Sequence, residues 1–242
     1  MQVGVDAPLL EREGAALIGG VAIHYGEARG SVAAEAGAGG IDATSYGLTG
    51  TLTWYGAQGL YADVQAQVNW FEGDLASDVL GHLVDGNDGS GRAVSLEVGK
   101  RWDVKGLTLT PQIQIAYDDV RFDRFIDPVM AEVARGEGDS LKTRWGVAVD
   151  HHAQWGGQDQ RRSHVYGVAN LTYEWLDGAE ARVSGTSLRR REDRLQAELG
   201  VGGSYAWTDR VTFYGEASGA TSVKDPGEGY QLKAQAGIRL QF

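Results

Sequence analysis

The stretch YQLKAQAGIRLQF, residues 230–242, decides the fold. Every second residue from Tyr230 to Phe242 is apolar or aromatic, and the residues between them are Gln, Lys, Arg or Gly. A period of two is typical of an extended strand with two different faces. One apolar face and one polar face fit a wall between lipid and water, which a strand of about 9–11 tilted residues can cross. The stretch therefore predicts a transmembrane β-strand at the end of the chain.

The composition allows one large β-domain. The chain has 242 residues and no Pro-rich or Ser-rich linker, so we expect a single domain over residues 1–242. It contains 36 Gly and only 4 Pro. Abundant Gly together with Tyr, Trp and Thr suits strands, tight turns and closely packed backbones.

Charge, hydropathy and cysteine content exclude several classes of protein. The net charge of −11 argues against nucleic acid as a partner. No run approaches the roughly 18 apolar residues of a membrane helix, whereas a barrel strand has an apolar residue only at every second position. The absence of Cys excludes disulfides and thiolate sites. No secretory signal is recognisable at Met1, so we expect any export signal outside this sequence.

Eleven segments alternate with the period of a strand. Short turns at residues 56–59, 103–106 and 208–210 alternate with loops predicted at 26–45, 71–92, 121–139 and 176–193, and a polar turn is predicted at 153–164. The first segment stops before Pro8, and residues 9–14 are predicted as a turn. The predicted strands are residues 2–6, 15–25, 46–55, 60–70, 94–102, 107–118, 141–150, 165–175, 195–207, 211–218 and 230–242.

This rhythm predicts an integral outer-membrane barrel. Because the last strand runs toward the periplasm, the short turns are expected there and the long loops outside the cell. Trp54, Trp102, Trp207 and Tyr25 lie at strand ends on the outward face, where interfacial aromatic girdles occur. The arginines at 189–191 could meet lipopolysaccharide phosphates, although a solvated charge run also explains them.

Four stretches carry a family resemblance: residues 46–54 (YGLTGTLTW) running into 59–63 (GLYAD), 95–99 (SLEVG), 109–114 (LTPQIQ) with Tyr117, and 237–242 (GIRLQF). Together they resemble the translocator domain of type V autotransporters of the pertactin and AIDA-like group. The resemblance implies a twelve-stranded transmembrane antiparallel β-barrel whose pore exports the passenger preceding it in the same polypeptide.

The resemblance also implies partners. These are the covalently attached passenger, the barrel-assembly machinery, periplasmic chaperones and the outer-membrane lipid with its lipopolysaccharide, around a monomeric barrel. Tyr230, Leu240 and Phe242 would form the aromatic assembly signal. The family's first strand and pore helix are expected outside this sequence.

The inward faces of the predicted strands carry opposed charges. We interpret them as a hydrated lumen; alternatively, their field holds the pore helix or keeps an unfolded polypeptide from sticking. Some family members cut their own passenger with lumenal acids, and Asp63, Glu97 and Asp118 are the candidates by position. The predicted pore-lining residues are Asp63, Gln65, Glu97, Arg101, Gln112, Gln114, Asp118, Arg144, Glu174, Glu198, Glu216, Lys233 and Arg239.

The most apolar of the outer loops is FDRFIDPVMAEVAR, residues 122–135. Asp127 before Pro128 predicts the start of a helix. That helix would pack on the barrel rim or act as a lid that touches the emerging passenger. The candidate lid residues are Phe125, Ile126, Val129, Met130 and Val133.

No metal or cofactor site is predicted. The neighbours His151 and His152 should point to opposite faces, so the five histidines are not expected to form a ligand set. Residues 85–89 (DGNDG) miss the spacing of a calcium loop and fit a Gly-rich turn.

Two other functions compete with the translocator. An outer-membrane lipase or protease needs a nucleophile beside a base, yet no G-x-S-x-G occurs and no Ser, His and acid recur at workable offsets. We therefore predict no catalytic residue and no enzyme. The second alternative is a passive diffusion porin for small solutes, which the sequence alone does not exclude.

Overall fold

A computed structural model describes residues 1–34, 37–135, 138–155, 161–176, 180–183, 186–189, 194–208, 210–224 and 230–240. These residues form antiparallel strands and one 3₁₀ turn at Ala57–Gly59. Within these ranges, no helix has the length and hydropathy that spanning a membrane requires. The strands are β1 Gln2–Arg12, β2 Ala15–Ala34, β3 Gly37–Tyr55, β4 Leu60–Ser77, β5 Gly81–Lys100, β6 Trp102–Val104, β7 Leu107–Phe122, β8 Phe125–Ile126, β9 Glu132–Arg135, β10 Asp139–Trp155, β11 Arg161–Glu174, β12 Glu180–Val183, β13 Thr186–Arg189, β14 Leu195–Ala206, β15 Val211–Ser222 and β16 Tyr230–Leu240.

One large sheet contains all eleven predicted strands. Its order is β1-β2-β3-β4-β5-β7-β10-β11-β14-β15-β16, with β6 added beside β7, and every pair is antiparallel. A small sheet, β13-β12-β9-β8, forms from two of the long connections. Among the described residues, β1 and β16 each pair with a single neighbour. The sheet therefore has the up-and-down order of a barrel wall.

One face of the sheet, here called the apolar face, is exposed. Leu52, Val64, Leu96 and Ile115 are successive register partners across four strands of it. Leu199, on the same face, keeps 70% of its surface exposed. In the described part of the chain, Tyr61 is the only hydrophobic residue that counts as buried, at 9% exposure. A two-layer soluble sandwich would bury such a belt against a second sheet, so the wall depends on lipid to cover it.

Aromatic residues mark both edges of the apolar face. Trp54, Trp102 and Trp207 lie exposed near the short turns, as predicted. Toward the long connections, Tyr25 is also exposed, and the rings of Tyr46 and Trp70 stack with their centroids 5.8 Å apart. Amphipathic rings at two levels suit the two interfaces of a membrane.

The prediction of long loops at residues 26–45 and 71–92 is wrong. Strand β2 continues through residues 26–34, β3 includes residues 37–45, and β4 and β5 continue through most of residues 71–92. Both hairpins extend beyond the apolar belt, where side chains such as those of the ion pair Arg29–Asp42 are exposed on the strand surface. A strand pair in water needs no apolar face, so the period of two disappears from the sequence while the backbone ladder continues.

The first strand is also longer than predicted. Pro8 lies inside β1, and the pairing with β2 shifts register between Pro8 and Leu10. Proline lacks an N–H group and is tolerated at the edge of a sheet or at a bulge, and β1 offers both. The turn at 9–14 therefore shrinks to the residues around Gly14, whose φ is 79°.

The predicted lid helix does not form. Residues 122–135 contain the short strands β8 and β9, in which Phe125 pairs with Val133 and Ile126 pairs with Glu132. The carboxylate of Asp127, expected to cap a helix, instead accepts hydrogen bonds from the backbone N–H groups of Val129 (3.0 Å) and Ala131 (2.7 Å). Asp at this position can close a turn as well as cap a helix, and the turn prevails here.

A left-handed residue completes that turn. Met130 has a φ of 65°, a backbone conformation that cannot continue a right-handed helix. Val129, Met130 and Val133, expected on the lid helix, therefore do not share a helical face, because the first two are exposed in the turn and the third is in a strand.

The remaining connections are shorter than predicted or only partly described. Strands β10 and β11 run to Trp155 and from Arg161, so most of the predicted turn at 153–164 is sheet. In the predicted loop at 176–193, β12 and β13 form a small hairpin. Arg189 ends β13, whereas Arg190, Arg191 and the terminal Phe242 lie outside the described residues.

Candidate functional site on the polar face

The second face of the large sheet, here called the polar face, collects the predicted pore-lining residues. Pairing registers place all of them except Arg101 on this face, from Asp63 on β4 to Arg239 on β16, and Arg101 lies between β5 and β6. Residues two apart on a strand share a face, and direct register partners do too. The face on which a strand residue lies is a local property of the chain, whereas the contacts across that face depend on register.

The most enclosed contacts form the Glu97 cluster, which consists of Tyr61, Glu97, Gln112 and Arg144. The Tyr61 hydroxyl oxygen lies 2.7 Å from Glu97 Oε1 and 3.1 Å from Gln112 Oε1. Arg144 Nη2 lies 2.5 Å from Glu97 Oε2, with side chains only 27% and 17% exposed. Arg144 reaches across β7 to make this pair, which indicates that the sheet curls toward the polar face.

A second group, the Glu216 cluster, consists of Tyr166, Glu216 and Gln235. The Tyr166 hydroxyl donates to Glu216 Oε2 across β14 at 2.5 Å, and Gln235 Nε2 donates to Glu216 Oε1 at 2.9 Å. The Tyr166 hydroxyl and the Gln235 amide are both neutral donors, and Glu216 is exposed. This carboxylate is held by hydrogen bonds rather than by an ion pair.

Neighbouring acids are held in related ways. Glu198 accepts hydrogen bonds from Asn170 Nδ2 (2.9 Å) and Ser218 Oγ (2.8 Å). Glu174 accepts from Ser140 Oγ (2.6 Å) and from the backbone N–H of Leu141 (3.0 Å). Each of these carboxylates therefore has fixed donors, which limits how far its side chain can move.

Three tyrosines of the polar face each lie across a glycine of the next strand. Tyr61 faces Gly99, Tyr166 faces Gly202, and Tyr214 faces Gly237, each pair in direct register. A Cβ atom added to Gly99 would lie 2.5 Å from the Tyr61 ring, and the other two glycines are similarly blocked by the facing ring. A missing side chain lets an aromatic ring lie flat over the neighbouring backbone. We call these three tyrosine–glycine contacts joints. They could not be predicted from the sequence, because the strand register that matches each Tyr to its Gly is not visible there.

The self-cleavage candidates are only partly brought together. Asp63 and Glu97 are register partners, and Asp63 accepts a hydrogen bond from Thr53 Oγ1 at 2.5 Å. Asp118 pairs with Ala93, four residues along β5 from Glu97. The structure thus groups two of the three acids.

The remaining predicted residues have simpler surroundings. The guanidinium of Arg101 lies 5.6 Å from the Tyr55 ring centroid and 5.8 Å from that of Tyr61. Gln65 donates to Asp63 Oδ1 at 3.2 Å. The register places Gln114, Asp118, Lys233 and Arg239 on the polar face. Of the predicted assembly signal, Tyr230 and Leu240 are exposed on the opposite face of β16.

Two histidines that are not neighbours along the chain lie together on the polar face. His151 and His152 do point to opposite faces, with His151 Nδ1 3.3 Å from the Gly106 carbonyl oxygen. However, His152 stacks on His164, its register partner on β11, and His164 contacts Asp150. The sequence pattern compares only neighbours along the chain, such as His151 and His152, whereas pairing across the sheet brings His152 and His164 together.

Comparison with known proteins decides the family. The autotransporter beta-domain family model matches residues 1–218. This chain belongs to the autotransporter β-domain family. It is 36% identical over 246 residues to the adhesin BmaC autotransporter of Brucella suis biovar 1, covering 100% of this chain and 7% of that protein. It is 26% identical over 207 residues to the probable autotransporter YfaL of Escherichia coli, covering 84% and 16%. The chain thus spans a small part of the length of both relatives.

Solved structures agree with the family assignment. The transport unit of the autotransporter AIDA-I from Escherichia coli gives a TM-score of 0.82 at 19% identity, covering 100% of this chain and 81% of that one. The β-domain of the Bordetella autotransporter BrkA gives 0.70 at 17% identity, covering 100% and 89%. The predicted fold and family are confirmed: this autotransporter domain is an integral outer-membrane β-barrel.

Proposed function

We propose that this autotransporter domain is the translocator of a longer protein and passes a passenger segment of the same polypeptide to the bacterial cell surface. The observation that carries the proposal is a continuous polar face opposite an exposed apolar belt. In a barrel, that arrangement gives a wet interior behind a wall that faces lipid. We propose residues 1–242 as one domain with this role.

The interior is suited to a chain that must not stick. Glu97, Glu198 and Glu216 already have fixed partners in the protein, so they offer few unsatisfied groups to a passing segment. The same fixed charges would also suit a helix held in the pore, and we retain both roles for the predicted pore-lining residues.

Membrane assembly requires partners beyond the passenger. A wall in lipid tolerates no unpaired strand edge, so β1 and β16 must both be paired in the membrane. We propose that periplasmic chaperones deliver the chain and that the barrel-assembly machinery reads the aromatic end formed by Tyr230, Leu240 and Phe242. The assembled barrel is proposed to act as a monomer.

Contact with lipopolysaccharide has support on the apolar face. Arg92 and Arg121 both bind Asp119, at 3.2 and 3.1 Å, near the long connections. The two guanidinium groups are exposed beside Trp70, at the edge of the apolar belt. This level of the wall suits contact with charged headgroups.

Self-cleavage remains a hypothesis within the same function. The curated relatives are named as an adhesin and as autotransporters, which favours a role in display over an enzymatic one. If cleavage occurs in the pore, the adjacent pair Asp63 and Glu97 is better placed to act together than either is with Asp118.

Site-specific crosslinking of a stalled passenger tests the translocator. The full protein would carry a disulfide-stabilised passenger that stops in the pore, with one Cys in the stalled segment. Gln65→Cys lies on the polar face and Val64→Cys, its neighbour, on the apolar face. We expect a crosslink at position 65 and none at position 64, because only the former faces the interior.

Two outcomes would contradict this proposal. A crosslink at position 64 but not at 65 would place the passenger outside the wall. A domain that conducts small solutes while no passenger crosslinks to either position would favour the diffusion porin instead.

A further inference from the structure

Three potential metal ligands meet on the polar face near the short turns. Asp150 and His152 lie two residues apart on β10, so their side chains share a face. His164 on β11 is the direct register partner of His152. The hairpin of β10 and β11 thus brings two imidazoles and a carboxylate to one place.

Their geometry is close to that of a site. His164 Nε2 lies 2.6 Å from Asp150 Oδ1, and the rings of His152 and His164 stack at 4.4 Å with 8° between their planes. One ligand atom from each residue lies within 4.8 Å of the others. Ligand atoms around tetrahedral Zn²⁺ lie about 3.3 Å apart, given bonds of about 2.0–2.1 Å. To coordinate one ion, His164 Nε2 and Asp150 Oδ1 would move apart from 2.6 Å to about 3.3 Å, and the exposed His152 ring would leave its stack on His164.

The donor set selects the kind of ion. Two imidazole nitrogens and one carboxylate oxygen suit Zn²⁺ and its neighbours Ni²⁺ and Cu²⁺, whereas Ca²⁺ and Mg²⁺ prefer oxygen ligands alone. We propose that Asp150, His152 and His164 form a Zn²⁺-class metal site inside the barrel wall, with one coordination position left open to water. A ring nitrogen that binds the ion carries no proton, so if His164 coordinates through Nε2, the proton between that atom and Asp150 moves to Nδ1 of the same ring or to solvent.

The site has a structural consequence that is independent of the proposed translocation. An ion bound there would join β10 to β11 by side chains in addition to backbone hydrogen bonds. It would also place a positive charge on a polar face whose neighbouring acid is Glu216, held by Tyr166, the register partner of Asp150.

Calorimetric titration of Zn²⁺ into the full protein, extracted in detergent and carrying a tag without histidine, tests the site. We expect one equivalent to bind. His152→Ala and His164→Ala should each weaken binding by more than about 100-fold, since even second-shell partners contribute about 10–100-fold. The matched control is His151→Ala, which removes the neighbouring imidazole on the opposite face.

A second pair of variants separates loss of a ligand from loss of the fold. His152→Asn and His164→Asn keep a polar group of similar size, and heat-modifiable migration on gels reports whether each barrel has folded. Folded Asn variants with weakened Zn²⁺ binding support the site. Wild-type protein that binds no more Zn²⁺ than His152→Ala, or a His151→Ala variant that loses as much binding, would overturn it.

Discussion

The Glu97 cluster and the Glu216 cluster each fix a glutamate carboxylate on the polar face, but they do so with different partners. In both, a tyrosine lies across a glycine of the next strand and its hydroxyl reaches a glutamate. Glu97 lies in the middle of the sheet, is 17% exposed and has Arg144 as a partner. Glu216 lies next to the edge strand β16, is exposed and has Gln235 instead.

This difference shows that enclosure by neighbouring strands decides which kind of partner a carboxylate needs. Where water has little access, a charge without a counter-charge is costly, because its desolvation is not offset. Where water reaches the group, neutral donors suffice. The comparison predicts that equivalent substitutions have larger effects around Glu97 than around Glu216.

Removal of Arg144 should have the largest effect. Arg144→Leu leaves the Glu97 carboxylate enclosed without its counter-charge, so we expect a loss of about 2–3 kcal/mol in the free energy of unfolding. Equilibrium unfolding in detergent, followed by tryptophan fluorescence, measures it. Arg29→Leu is the control, because the Arg29–Asp42 pair is 85% and 63% exposed. If both variants lost the same free energy of unfolding, enclosure by neighbouring strands would not explain the effect of Arg144→Leu.

The tyrosine–glycine joint comes next. Gly99→Ala places a methyl group against the Tyr61 ring, and overpacking of this kind costs about 1–3 kcal/mol. Gly202→Ala should cost less, because Tyr166 is less buried and its ring can tilt toward solvent. Gly50→Ala meets no atom within 4 Å and should leave the unfolding midpoint unchanged. If Gly50→Ala destabilises the barrel as much as Gly99→Ala does, the loss of stability comes from replacing a strand glycine and not from contact with the Tyr61 ring.

Loss of the tyrosine hydroxyl should have a smaller effect. Tyr61→Phe removes the hydroxyl contacts with Glu97 and Gln112 and should cost about 1–1.5 kcal/mol. Tyr166→Phe should cost roughly 0.5 kcal/mol, since water can replace the hydroxyl at the exposed Glu216. A double-mutant cycle of Tyr61→Phe with Glu97→Gln isolates the coupling. A coupling of zero would mean that the hydroxyl acts only through packing.

The smallest effect is expected at Glu216 itself. Glu216→Gln keeps a side chain of the same shape in a solvated position, and we expect a change below about 0.5 kcal/mol in unfolding free energy. Glu97→Gln breaks an enclosed ion pair and should exceed it clearly. Both changes in unfolding free energy are measured under identical detergent conditions. The difference between the value for Glu97→Gln and the value for Glu216→Gln then measures how much more the enclosed cluster depends on its carboxylate.

The candidate site was partly predictable. A strand residue proposed to line the pore can be assigned to a face from its parity along the strand, because the period of two is a property of the local chain. The joint between Tyr61 and Gly99 and the group formed by Asp150, His152 and His164 could not. Tyr61 and Gly99 lie on different strands, as do His152 and His164, and only the pairing register between those strands brings them together.

Two structural features went against the sequence for physical reasons. Residues 26–34 and 37–45, and most of residues 71–92, continue as sheet in water, where selection for an apolar face disappears. At Asp127, the same carboxylate chemistry serves a helix cap or a turn, and the strands on either side decide for the turn.

The sequence by itself determined that the chain forms strands with one apolar and one polar face, and thereby that it belongs in a membrane wall, because side chains alternate along any extended backbone. Tertiary structure alone decided which residues meet across the strands. A shift of one residue in register would send every side chain of a strand to the other face, and that register is set by turns and by pairing along the whole hairpin. The partners of Glu97, Glu216 and His164 are therefore properties of the folded sheet.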